Sequence, residues 1–146
     1  MQLEKYAVTA SSLHTGYRFV SVGERGNLVK VVEYSPTDNP DEYNLAFGDY
    51  DPLTGAISDT IRSNNGDRDK VLASVGETAI DFLRYYPDAT IFAKGSTESR
   101  TRTYQMGINR FYDEITQEHS VFGFRNGIWE VFEPSQSYEA FRMRRK

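Results

Sequence analysis

Hydrophobic and polar positions alternate with a period of two through the first half of the chain and then switch to a helical period. Residues 6–10 alternate weakly and predict a short first strand. Residues 17–22 and 28–34 are rich in β-branched and aromatic side chains. The glycine-bearing segment Gly23-Glu24-Arg25-Gly26-Asn27 between them predicts a hairpin. Pro36 and Pro40 break the chain before another strand at 43–47. Asp49-Tyr50-Asp51-Pro52-Leu53-Thr54-Gly55 reads as a turn, residues 56–62 as the returning strand, and 63–67 as a loop.

The period then lengthens. Val71, Leu72, Val75, Ala79, Phe82, Leu83 and Tyr86 recur at three- and four-residue spacing, which predicts an amphipathic helix that Pro87 ends. Residues 89–93 form an apolar strand. A second helix is expected from about Thr97 to about Gln117, burying Thr101, Tyr104, Ile108, Phe111 or Tyr112, and Ile115. Gly107 in its interior costs about 1 kcal/mol relative to alanine. Residues 121–124 and 127–132 close the pattern as a hairpin about Arg125-Asn126-Gly127, where Asn-Gly is the turn signal. Residues 138–143 add a last strand or a short helix.

Strands, helix, strand, helix and hairpin, with no repeat or linker, predict a single α/β (α+β) domain over residues 1–146. Its sheet should be twisted, mixed and mostly antiparallel, with two main helices packed on it. The length of 146 residues suits one domain with a real core. The chain has no cysteine, so disulfide scaffolds, thiolate metal sites and cysteine nucleophiles are excluded. No leader-like start and no membrane-length apolar run is read, and the expected location is cytoplasmic. A net charge of −4 argues against a protein that coats nucleic acid indiscriminately. The basic end Arg142-Met143-Arg144-Arg145-Lys146 reads as a frayed, solvated tail.

One segment carries most of the candidate chemistry. After the strand at 89–93, Lys94-Gly95-Ser96-Thr97-Glu98-Ser99-Arg100-Thr101-Arg102 opens a helix with hydroxyls and guanidinium groups around its first amides. Lys94, Ser96, Thr97, Ser99, Arg100 and Arg102 are therefore the expected anion-binding residues, reading a nucleotide or RNA phosphate. The same residues also satisfy an ordinary N-cap, with Ser96 or Thr97 capping. Other constellations are thinner. His14 and His119 lack ligand-spaced partners, so no metal site is expected. Asp49, Asp51, Asp59 and Glu77 lie in a turn and on an exposed helix face rather than converging on a metal pair. Ser11, Ser12 and Ser74 lack a nucleophile elbow. Strand aromatics Tyr17, Phe19, Tyr34, Tyr43 and Phe47 are better explained by core packing than by base stacking. No cofactor motif is read.

Two resemblances add expectations. The order of strands, helix, strand, helix and hairpin over residues 43–132 resembles the second half of the GCN5-related N-acetyltransferase fold. Thr97-x-x-Arg100-x-x-Thr103-Tyr104 occupies that family's Asn-x-x-Ala-x-x-Leu-Tyr spacing. The resemblance implies a CoA-dependent N-acyltransferase with Tyr104 as general acid. Where that family has a glycine-rich pyrophosphate loop, this chain has Asn64-Asn65-Gly66-Asp67-Arg68-Asp69. Separately, Lys70-Val71-Leu72-Ala73-Ser74-Val75, Asp81-Phe82-Leu83 and Gly95 through Gln105 are similar to a family of short, uncharacterised bacterial proteins, over nearly the whole chain. Some such proteins belong to toxin–antitoxin or defence pairs, which implies a cognate protein partner. The remaining alternative is a protein–protein module with no small-molecule site.

Overall fold

A computed structural model describes residues 4–58 and 65–146. The strands are β1 (Thr9–Ala10), β2 (Gly16–Gly23), β3 (Gly26–Pro36), β4 (Glu42–Asp51), β5 (Ala56–Ser58), β6 (Thr90–Ala93), β7 (His119–Arg125), β8 (Ile128–Val131) and β9 (Ala140–Arg145). The helices are α1 (Arg68–Tyr85), α2 (Glu98–Arg110) and α3 (Tyr112–Glu118). All the strands join one sheet in the order β1-β2-β3-β4-β6-β9-β7-β8, with β5 added to β4. Every pairing is antiparallel except β4 with β6.

Register divides the sheet into two unlike faces, because residues paired across neighbouring strands point the same way. One row runs Tyr43–Ile91–Met143–Val121 across β4, β6, β9 and β7, and Tyr17–Val32–Phe47 continues that face through β2, β3 and β4. This is the covered face. Leu72, Val75, Ala79, Phe82 and Leu83 of α1 pack on it, together with Phe111 and Ile115. Phe82 is completely buried, stacked on Tyr34 at 4.3 Å between ring centroids, with Tyr43 and Tyr86 at 5.1 and 5.0 Å. The opposite row runs Asn44–Phe92–Arg142–Phe122–Val131. Among the described residues no helix lies over it.

The basic end is not a frayed tail. Arg142, Arg144 and Arg145 lie in β9, an interior strand between β6 and β7. Alternation explains how so basic a segment enters a sheet: Phe141 and Met143 face the core, while Arg142 and Arg144 face the side that no helix covers. The second helix also differs from expectation, since it breaks at Phe111 (φ −110°, ψ 20°) into α2 and α3. The break redirects the chain so that both Phe111 and Ile115 reach the core. Gly107, expected to weaken this helix, lies in α2 opposite Leu72 of α1; a Cβ there would sit 3.5 Å from Leu72 Cδ2, an ordinary contact. The first strand is reduced to Thr9–Ala10, and Asp49 to Asp51 belong to β4 rather than to the turn. The expected strand at 56–62 is described only as β5, its remainder lying outside the described residues. Asn126 (φ 53°) and Gly127 (φ 78°) make the expected left-handed turn of the β7–β8 hairpin.

Candidate functional site

β4 and β6 stay parallel partners for three register pairs only, from Glu42↔Thr90 to Asn44↔Phe92. Beyond Asn44, β4 runs on to Asp51, where its β6 side is taken by β5. The sheet therefore opens between them. Over that opening, the first turns of α1 and α2 stand on either side of a polar cleft of about 350 Å³.

Each wall follows from local sequence. On the α2 wall, Thr97 is the N-cap: its Oγ1 accepts the Arg100 amide at 3.2 Å. Thr101 Oγ1 accepts the Gly95 amide at 3.0 Å and donates to the Thr97 carbonyl at 3.2 Å. The loop is folded so tightly on the helix that a Cβ at Gly95 would lie 2.3 Å from the Thr101 nitrogen. Ser99, Arg100, Thr103 and Tyr104, one stripe of the helix, then face the cleft.

On the α1 wall stand Asn65, Asp67 and Arg68. Asn65 Nδ2 donates to the Gly26 carbonyl at 2.9 Å and its Oδ1 accepts the Arg25 amide, tying the helix start to the β2–β3 hairpin. Asp67 is the N-cap of α1 but makes no side-chain cap bond; its carboxylate instead accepts the hydroxyls of Tyr6 and Ser21. Lys30 and Asp49 join the lining from β3 and β4 as a buried cross-strand ion pair. Below them is a smaller apolar cavity of about 90 Å³ beside Ala79, Ile91 and Gly107; Leu72 and Tyr104 line both spaces.

The expected anion-binding residues are thus divided. Ser99 and Arg100 line the cleft, whereas Lys94, Ser96, Thr97 and Arg102 are exposed and outside its lining. Tyr104 is half-buried at the boundary between polar cleft and apolar cavity. Sequence reading missed Lys30; Asp49 was weighed only among the carboxylates of a metal pair, and Arg68 only within the loop compared with the acetyltransferase pyrophosphate loop. The acidic loop residues are engaged by donors: Asp67 by two hydroxyls, Asp69 by Arg110 at 3.8 Å.

The remaining candidates have structural roles. His14 Nδ1 lies 2.8 Å from Asp81 Oδ2, which also accepts the Tyr17 hydroxyl at 2.7 Å. Burial pushes the Asp81 carboxyl up, but the hydrogen bonds from His14 and Tyr17 outweigh it and hold its pKa below the usual value. Glu77 pairs with Lys5 at 3.0 Å, and Asp59 lies outside the described residues. Tyr17, Phe19 and Tyr34 are core residues on the covered face. Among the described residues no group of three or more His, Cys, Asp or Glu side chains is arranged to hold a metal ion, and no helix is long and apolar enough to cross a membrane.

His119 is buried at the start of β7, with Nδ1 3.1 Å from the Ile115 carbonyl. Burial pushes its pKa down, against the smaller upward pull of that carbonyl. The unfolded chain therefore binds this proton more readily than the folded one. The resulting stability is full above about pH 6.5, the ordinary histidine value, and is lost as pH falls through the lower folded pKa. A melting-temperature series from pH 7.5 downward should show this loss, and His119→Gln should flatten it. An unchanged slope in the variant would remove His119 from the pH dependence.

Residues 2–146 match the model of DUF6934, a family of unknown function, and the chain belongs to that family. No curated protein and no solved structure matches it.

Proposed function

We propose that this protein binds a phosphate-bearing ligand of nucleotide type in the cleft between the starts of α1 and α2. The convergence of two helix N-termini on one polar cleft carries the reading. Each start offers the positive end of a helix dipole, and an anion between them benefits from both. Arg68 and Arg100 would supply charge, and the Ser99 and Thr103 hydroxyls would orient phosphate oxygens. The cleft volume of about 350 Å³ lies within the usual range of small-molecule sites. The test is a thermal-shift panel at low salt with ATP, GTP, acetyl-CoA and a short RNA. A ligand at 100 times its Kd adds about 2.7 kcal/mol to the folded state, which raises the melting temperature measurably. The expected result is a rise with at least one nucleotide-bearing ligand that Arg100→Glu abolishes. A panel with no rise, or a rise that survives in the variant, contradicts the site.

A second reading, a CoA-dependent acyltransferase, draws on two observations. The parallel β4–β6 pair ends after three residues, leaving a split into which an extended arm could lie. Tyr104 stands where the polar cleft meets the apolar cavity, in reach of a thioester placed between them. This reading requires that acetyl-CoA be the member of the panel that binds, and that acetyl transfer disappear in Tyr104→Phe while binding persists.

A further inference from the structure

The sheet face that no helix covers carries a row of aromatic and cationic side chains unrelated to the cleft. Phe92, Arg142 and Phe122 follow one another in register across β6, β9 and β7, and Phe124 pairs with Trp129 on β8. The Arg142 guanidinium lies 4.2 Å over the Trp129 ring, and Arg144 lies 5.1 Å over Phe122. Phe92 meets Trp129 edge-on at 6.2 Å. Glu42, Thr90, Phe122, Trp129, Arg142 and Arg144 border a groove of about 390 Å³.

Two features say what the groove suits. First, the local charge opposes that of the chain, which is −4 overall. Glu42 is already engaged by Arg142 at 3.1 Å, Thr90 and Ser120 are neutral, and Arg144 stands exposed beside them. Among the described strand residues, the next carboxylate in register on this face, Glu33, is on β3, beyond β4. Second, the Arg142 side chain stays 32% exposed while one of its terminal nitrogens holds Glu42 at 3.1 Å. Arginine planes and half-buried aromatic rings interleaved on an open sheet are the elements that stack unpaired bases while neutralising phosphates. Arg142 and Arg144, two residues apart on one strand, are spaced by about 7 Å, a separation that successive phosphates of an extended strand can meet. An acidic peptide would use the charges but leave the aromatic row without a role.

We propose that this open face binds single-stranded nucleic acid, with bases stacked along Phe92, Trp129 and Phe122 and the phosphate backbone on Arg142 and Arg144. The site lies on the opposite side of the sheet from the α1–α2 cleft and is independent of it.

Trp129 is the only tryptophan in the chain, so its emission reports this groove alone. Titration of the wild-type protein at low salt with labelled oligouridylate and oligothymidylate should quench Trp129 and raise the label's anisotropy together. The ratio of the two affinities separates RNA from DNA. Affinity should fall steeply with salt, and Arg144→Glu, an exposed substitution whose fold is checked by circular dichroism, should weaken binding about tenfold or more. Absence of binding to either strand overturns the proposal. So does an anisotropy rise without quenching, or one that Arg100→Glu removes and Arg144→Glu does not.

Discussion

Replacing Phe82 by alanine should destabilise the fold by about 3–5 kcal/mol, the usual cost of deleting a fully buried aromatic side chain. Phe82 has no exposed surface, and its ring is the point at which α1 meets the sheet. It stacks on Tyr34, meets Tyr43 and leans on Tyr86, so one ring joins β3, β4 and the end of α1. The Tyr34 hydroxyl is in turn bonded to Thr78 Oγ1 at 2.8 Å, one turn earlier on the helix, which keeps the wall from collapsing into the space. The loss therefore combines the transfer term with a cavity that relaxes poorly. For a chain of this size it corresponds to a melting-temperature drop of roughly 10 °C. Urea titration is the direct measurement, with Leu53→Ala as control; Leu53 is 94% exposed and should change stability by less than about 0.5 kcal/mol. Equal midpoints for the two variants would mean that Phe82 does not anchor α1.

Gly123→Ala is expected to cost about 3 kcal/mol, for the opposite reason: it adds a methyl group where there is no room. A Cβ on Gly123 would fall 2.3 Å from Tyr138 Cδ1 and 2.4 Å from its Cγ. Tyr138 cannot withdraw easily. Its amide donates to Gln105 Oε1, its hydroxyl accepts the Glu133 amide, and its ring lies against Phe132 and Phe141. Gly123 is thus the position where the segment returning to β9 crosses β7. Because the clash has a named partner, the prediction has a second arm. Tyr138→Leu alone should be destabilising, but in combination with Gly123→Ala the two losses should sum to less than additivity. Strict additivity would show that the two residues are not in contact.

How far the chain could be read in advance depended on whether the deciding interactions were local. The α1 stripe from Val71 to Tyr86 was legible because seven apolar residues repeat at helical spacing and Pro87 marks the end. The β7–β8 turn was legible because Asn126-Gly127 fixes its own backbone. The break at Phe111 was not, since no proline or glycine stands there and the bend serves two tertiary contacts. β9 misled for a related reason. Its arginines read as solvent-seeking, and only the missing layer on one side of the sheet makes Arg142 and Arg144 compatible with an interior strand. The candidate site divides in the same way. Ser99 and Arg100 stood out as a hydroxyl and a cation at a helix start, while the position of Arg102 on another side of the helix follows from its period. Lys30 and Asp49 are nineteen residues apart in sequence and meet only through the β3–β4 register. The aromatic residues of the open face were passed over because the more numerous strand aromatics belong to the core.

The most direct test of the cleft is a backbone-amide chemical-shift map of the protein titrated with ATP and, separately, with coenzyme A. If the starts of α1 and α2 hold the phosphates, the largest shifts fall together on residues 65–71 and 99–104, saturate with one affinity, and vanish in Arg100→Glu. Shifts confined to β7, β8 and β9, or scattered without saturation, would contradict the assignment of the cleft as the ligand site.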